Sequence, residues 1–288
     1  EISENSDGNT VITLTTQDDA LFAHDVISDT ATVDIDLDAG KLENIFGVTA
    51  KTTMPTIADK IRPEVKKNGI TTIDDNGDGK LDNIKIEFAE KVKYNYISAT
   101  TFTVDGYTIE DAYPATSVTE AVYDGRGAVA SDDTEYVIIR VKQKDDANTT
   151  ATPKVKVVTT VKDVAGNEYD LDKDAIASVD GIAPIVVTKL PAADTFEADA
   201  THTLVFSEAI DEDSQEAVLE AVEDAYTAND DAEVEFAWGS DDKTLTVTIT
   251  ADEENTVELG TIFDSAIEVV DLKENAVTGL DLQEEADD

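Results

Sequence analysis

Apolar and polar residues alternate in short runs along most of the chain. The clearest run is Thr244-Leu245-Thr246-Val247-Thr248-Ile249-Thr250, where every second side chain is aliphatic. Successive side chains of a strand point to opposite faces, so a period of two predicts a strand with one buried and one solvated face. The same period marks Glu135-Tyr136-Val137-Ile138-Ile139-Arg140-Val141, Ile84-Lys85-Ile86-Glu87-Phe88 and Thr203-Leu204-Val205-Phe206, and a further strand is predicted over 154–161. One stretch changes period. Val218, Leu219, Val222, Ala225 and Tyr226 recur at helical spacing, which predicts one short helix from Ser214 to Tyr226, capped by Asp213 or Ser214. The expected fold class is all-β with that single helix.

The pattern repeats at domain scale. Ser6-Asp7-Gly8-Asn9, Ser131-Asp132-Asp133-Thr134 and Ser240-Asp241-Asp242-Lys243 each lead into a strand. Their separations approach the roughly 100 residues of a β-sandwich domain. Asp59-Lys60-Ile61-Arg62-Pro63 returns 121 residues later as Asp180-Gly181-Ile182-Ala183-Pro184. Proline cannot donate to a sheet ladder, so both segments read as junctions. Downstream of each, a strand ends in Phe88-Ala89-Glu90 or Phe206-Ser207-Glu208. Late in each unit comes a polar turn, Asp163-Val164-Ala165-Gly166-Asn167 or Asp271-Leu272-Lys273-Glu274-Asn275. These marks divide the chain into 1–63, the C-terminal part of a domain that starts before residue 1; 64–183, a full domain; and 184–288, a full domain carrying the helix.

A turn of the Asp-Val-Ala-Gly-Asn kind, an Asp-x-Ile-Ala-Pro junction and a strand ending in Phe-Ser-Glu resemble the tandem immunoglobulin-like domains of bacterial surface-layer proteins and large adhesins. The resemblance implies immunoglobulin-like β-sandwiches in a row, located outside the cell on its surface or wall. It implies a structural role in a surface layer or stalk, with calcium and further copies of the same protein as partners, no enzymatic activity, and cell-wall anchoring through parts not present here. A different expectation from the same resemblance is an adhesin or carbohydrate-binding module, with Trp238, Tyr94, Tyr96, Tyr107 and Tyr113 as the sugar-facing aromatics.

Charge narrows the partners. Of the net charge of -44 on 288 residues, -27 falls in 184–288, where 30 acids face 3 bases. Such a surface repels nucleic acid and anionic lipid and attracts cations. No apolar run approaches the roughly 20 residues that span a bilayer, so membrane insertion is not expected. Cysteine is absent, which excludes thiolate metal sites and cysteine nucleophiles. The two histidines, His24 and His202, read as strand-surface residues without a nucleophile motif nearby.

The most specific motif is Asp74-Asp75-Asn76-Gly77-Asp78-Gly79-Lys80-Leu81-Asp82. Oxygen-bearing residues at alternate positions followed by glycine form the start of a calcium loop, because a curled chain aims alternate side chains at one point. Asp74, Asn76, Asp78, the carbonyl of Lys80 and Asp82 are the expected calcium ligands. Lys85 stands where an EF-hand has its bidentate glutamate, and strands replace the flanking helices. The acids of the junctions, Asp59 and Asp180, are a further place where a cation bridging two sandwiches would stiffen the chain. Asp34, Asp36 and Asp38, and likewise Asp170, Asp172 and Asp174, read as solvated strand faces.

Overall fold

The computed structural model describes residues 59–115, 133–229, 231–262 and 267–285, with the backbone of two short antiparallel strands, β1 (Ile2–Glu4) and β2 (Thr10–Ile12). Ser6 to Asn9, His24, and the run Asp34, Asp36 and Asp38 lie outside the described residues, as does nearly all of 1–63. The fold is all-β. Its named strands pair antiparallel, and one α-helix is present among the described residues.

Residues 65–182 build the first core. Strands β3 (Val65–Ile73), β4 (Asn83–Val92), β5 (Phe102–Val104), β6 (Ile109–Ala115), β7 (Thr134–Val141), β8 (Lys154–Val157) and β9 (Ile176–Ala177) form a four-stranded sheet, β3-β4-β7-β6, and a three-stranded one, β5-β8-β9. The alternation seen in the sequence sets the packing. Ile84, Ile86 and Phe88 of β4 and Val137 and Ile139 of β7 are fully buried, facing Phe102, Val155 and Val157 of the smaller sheet. Each such side chain contributes about 2 kcal/mol on leaving water. The strand expected over 154–161 ends at Val157, and the chain then turns away to form the loop that carries Asp163. Asp170, Asp172 and Asp174 lie in a turn, not on a strand: Asp170 Oδ1 accepts from the Asp172 amide at 3.1 Å.

The second core repeats the plan. Strands β10 (Val186–Thr188), β11 (Asp194–Phe196), β12 (Ala200–Phe206), β13 (Tyr226–Ala228), β14 (Glu233–Trp238), β15 (Thr244–Thr250), β16 (Val257–Leu259), β17 (Glu268–Val270) and β18 (Ala276–Thr278) surround Leu204, Phe206, Leu245, Val247 and Ile249. The larger sheet runs β10-β12-β15-β14, the same order of first, second, fourth and third member as β3-β4-β7-β6. Helix α1 (Glu212–Ala225) follows β12 in the place where two single 3₁₀ turns, Tyr94–Tyr96 and Ala99–Thr101, follow β4. It buries Val218 and Val222. Its N-cap is Asp211, whose carboxylate accepts from the Ser214 amide at 2.8 Å, so the helix starts at Glu212, two residues before the expected Ser214. Asp213 instead lies in the first turn, where a negative charge meets the helix dipole favourably.

The two cores meet through the junction segment. The Val179 amide donates to Ile70 O at 2.7 Å, the Thr72 amide to Val179 O at 3.1 Å, and the Gly181 amide to Thr72 Oγ1 at 2.9 Å. Gly181 lies so close to β3 that a Cβ there would stand 2.3 Å from Thr72 O, which explains why the position has no side chain. Among the described residues no helix is long and apolar enough to cross a membrane.

Candidate metal centre

Three sequence marks that lie far apart in each unit converge in space. Asp180 from the junction, Glu208 from the end of β12 and Asp271 from the turn after β17 bring one carboxylate oxygen each within 4.8 Å of the others. Asp59, Glu90 and Asp163 do the same one repeat earlier. The match extends to details. Ile61 and Ile182 donate their amides to Asp59 Oδ1 and Asp180 Oδ1, at 2.9 and 3.2 Å. Val92 and Ile210, each two residues beyond the glutamate, bridge to Asp163 and Asp271.

The turn aspartates are held rigidly. Asp163 Oδ1 accepts from the amides of Gly166 and Asn167 at 2.5 and 2.7 Å, while Asn167 Nδ2 donates to Oδ2 at 2.7 Å. Asp271 Oδ1 accepts from the amides of Lys273 and Asn275 at 2.7 and 2.9 Å, and Asn275 Nδ2 donates to Oδ2 at 2.8 Å. Ser214 of α1 accepts from the Val270 amide at 2.9 Å, tying the helix to the strand that leads into this turn.

The triad of Asp180, Glu208 and Asp271 is deeply placed, at 8%, 9% and 2% exposure. Two unit charges ~5 Å apart repel by about 3 kcal/mol at an effective dielectric of about 20, so three ionised carboxylates without a counter-ion are costly. The titration of Glu208 reflects this. Burial pushes its carboxyl up to about 7, the charges of Asp180 and Asp271 push the same way, and the nearby Thr149 hydroxyl pulls back. Asp180 is also raised, by burial first and then by Asp271, against the amides of Ile182 and Gly181 and the Lys273 ammonium. Oxygens that share one calcium ion at the usual ~2.4 Å stand at most about 4.8 Å apart, so the three acids lie within the span of a single hard cation.

The aspartate loop is arranged differently. Asp74 turns both oxygens onto its own loop, accepting from the amides of Asn76, Gly77 and Gly79 at 3.2, 2.8 and 2.7 Å. Asn76 Oδ1 accepts from the Asp78 amide at 3.0 Å. Asp78 accepts from the Lys80 amide at 3.0 Å and from Gln143 Nε2 at 3.3 Å, with the Lys80 ammonium at 3.8 Å. Asp82 Oδ2 accepts from the Asp75 amide at 2.9 Å. Gly77 and Gly79 both adopt φ of 74°, the left-handed geometry that the curl requires. Asp74, Asp78 and Asp82 thus share the loop without forming a three-carboxylate cluster as tight as the triads. Burial raises Asp75 and Asp82, with neighbouring loop charges adding to both. Asn83 donates to Asp75, while its own Oδ1 is buried without a partner.

The loop touches the same linking segment as the triad of Asp180, Glu208 and Asp271. Gly79 packs against Ile185 and Thr149, and its carbonyl accepts from the Asn148 amide at 2.8 Å. Thr149 donates to Ser207 Oγ at 2.9 Å, and Ser207 Oγ also accepts from the Ile185 amide at 3.0 Å.

Sequence reasoning singled out Asp59 and Asp180 but not their partners Glu90, Asp163, Glu208 and Asp271. The available signal was the repeated order of junction aspartate, strand-terminal glutamate and Asp-x-x-x-Asn turn. The aromatic candidates are scattered. Tyr113 is buried on β6, Tyr107 carries the Lys144 ammonium 3.9 Å over its ring, and Trp238 stacks on Phe206 at 6.2 Å in the second core. His202 is half-buried on β12: its ring lies 4.7 Å from Phe196 and its Nδ1 is 3.0 Å from Tyr226 Oη.

No protein-family profile matches the chain. The chain is similar to an outer cell wall protein of Brevibacillus brevis, with 30% identity over 182 residues. The match covers 62% of this chain and 16% of that protein's length.

Proposed function

We propose that this chain is a segment of a structural protein of the bacterial cell surface. It consists of immunoglobulin-like sandwiches in tandem, divided at 63/64 and 183/184. Calcium orders it, copies of it assemble into a surface layer or stalk, and anchoring to the wall falls to parts outside this sequence. The segment is extracellular and has no catalytic task.

Repetition carries this reading. The same four-stranded sheet order is built twice in succession, with the linking segment laced into the sheet before it. A chain of this kind extends by adding units, and its stiffness depends on what happens at the junctions. Similarity to an outer cell wall protein supports the location. Calcium belongs to the reading because of the net charge of -44 and because Asp74, Asn76, Asp78, Lys80 and Asp82 offer oxygens in a loop that abuts a junction. Without cations the acidic surfaces repel and the units swing; with calcium the loop geometry and the angle between units become fixed, which favours lateral packing. Small-angle scattering with and without excess chelator tests this. The particle is expected to expand and its assembly to stop in chelator, with recovery on adding calcium; identical curves and unchanged assembly overturn the reading.

A further inference from the structure

We propose that Asp180, Glu208 and Asp271 form a divalent-cation site of calcium type that clamps the second unit to the third. The proposal deepens the calcium part of the reading above, and it stands whether or not the loop 74–82 binds an ion.

Three observations meet at this point. The first is geometric: three carboxylate oxygens lie within 4.8 Å of one another, and two of the acids come from elements far apart in the third unit while Asp180 belongs to the segment hydrogen-bonded to β3. The second concerns Glu208. Its Oε1 is buried without a hydrogen-bond partner, on a side chain that is 9% exposed and stands inside the cluster. A buried acceptor that no protein donor satisfies is destabilising unless something else meets it, and next to two further acids that partner is a proton or, where the acids stay ionised, a cation. The third is that the arrangement recurs at Asp59, Glu90 and Asp163, with the same amide donors and the same bridges.

Asp271 is held by three hydrogen bonds and Asp180 by the Ile182 amide, so both present a fixed oxygen. Glu208 closes the site from the strand end, next to the Ser207 hydroxyl that reaches Thr149 of the second unit. An ion seated there couples β3, β12 and the turn after β17, so its removal frees the angle between the units. Hard oxygen donors without nitrogen or sulfur select calcium-like ions over soft ones.

The test uses the full chain and calcium itself. Bound ions per chain and affinity are measured by calorimetry, and thermal unfolding is followed in chelator and in millimolar calcium, with matched ionic strength set by sodium chloride. Glu208→Gln is the informative variant, because it removes the charge while keeping the shape. It is expected to lose one bound ion or weaken it at least tenfold. In chelator it melts no lower than the parent chain, and in calcium it melts lower, so the order of stability reverses. Asp78→Ala is expected to leave that ion in place, which separates this site from the loop. Unchanged stoichiometry and affinity in Glu208→Gln, or a loss of stability that is the same in chelator and in calcium, overturns the proposal.

Discussion

The loop 74–82 and the triad of Asp180, Glu208 and Asp271 flank one junction, yet they treat their negative charge in opposite ways. In the loop, backbone amides only a few residues away take up most of the carboxylate oxygens, and Lys80 and Gln143 stand beside Asp78. The triad draws on segments about 30 and 60 residues apart and leaves a glutamate oxygen buried without a donor. In a loop of the first kind local amides already satisfy much of the charge, so an ion there tightens a shape the loop largely has. A cluster of the second kind is strained until a proton or a cation arrives. The difference teaches that a loop motif can be read locally, whereas a site able to couple separate elements is assembled from residues brought together only by the fold.

The largest effect is expected from the backbone of the triad. Gly181→Ala would place a Cβ against Thr72 O and Thr71 Cγ2, so the junction has to move. A loss of about 3 kcal/mol or more is expected in urea unfolding, along with loss of the calcium-dependent gain in stability. A fully retained calcium gain would show that Asp180 need not sit where it does.

Next comes pH in chelator. The Glu208 carboxyl is raised from 4.5 to about 7 by burial and by its acidic neighbours. A folded-state value above the unfolded one means that the folded chain binds the proton more tightly. The stability this provides is complete below about 4.5 and is lost as pH rises through 7. The expected slope, amounting to at most about 3 kcal/mol between pH 4.5 and 7.5, shows as a falling melting temperature. Glu208→Gln should flatten it. A parent chain that gains stability over this range in chelator contradicts the description of the triad.

Asp163→Asn and Asp271→Asn sharpen the comparison between repeats. Each keeps one acceptor oxygen and loses the one that receives the neighbouring asparagine side chain. Costs of about 1 kcal/mol, similar at the two positions, are expected in denaturant unfolding. A large cost at one and none at the other would break the equivalence of the two triads. The smallest effect belongs to the loop. Asp78→Ala in chelator should change stability by less than about 1 kcal/mol, since the residue is partly exposed and its acceptor role is local.

The alternating runs made most strands legible, because β4, β7, β12 and β15 each bury one face against a core. Proline and repetition marked 59–63 and 180–184, and the second of these lies between the two cores. The cap of α1 was not, because Asp211, Asp213 and Ser214 all suit an N-cap, and the choice was made by Val270, whose carbonyl accepts from the Asp211 amide and whose amide donates to Ser214. The turn around Leu171 looked like a strand because acids at alternate positions also suit Asx turns, in which a side chain caps the amide two residues on. The aspartate loop was visible as a unit because all its acids lie within nine consecutive residues. The triads were visible only in pieces. Glu90 and Glu208 appeared as the ends of strands, and Asp163 and Asp271 as the starts of turns, and nothing short of the sheet order brings them to one point.

The most direct test is an anomalous difference map from crystals of the full chain grown in calcium and soaked in a lanthanide of similar radius. The account predicts a peak between Asp180, Glu208 and Asp271, bonded to Glu208 Oε1, and a second between Asp59, Glu90 and Asp163. A map with a strong peak in the loop 74–82 and featureless density at both triads would contradict it.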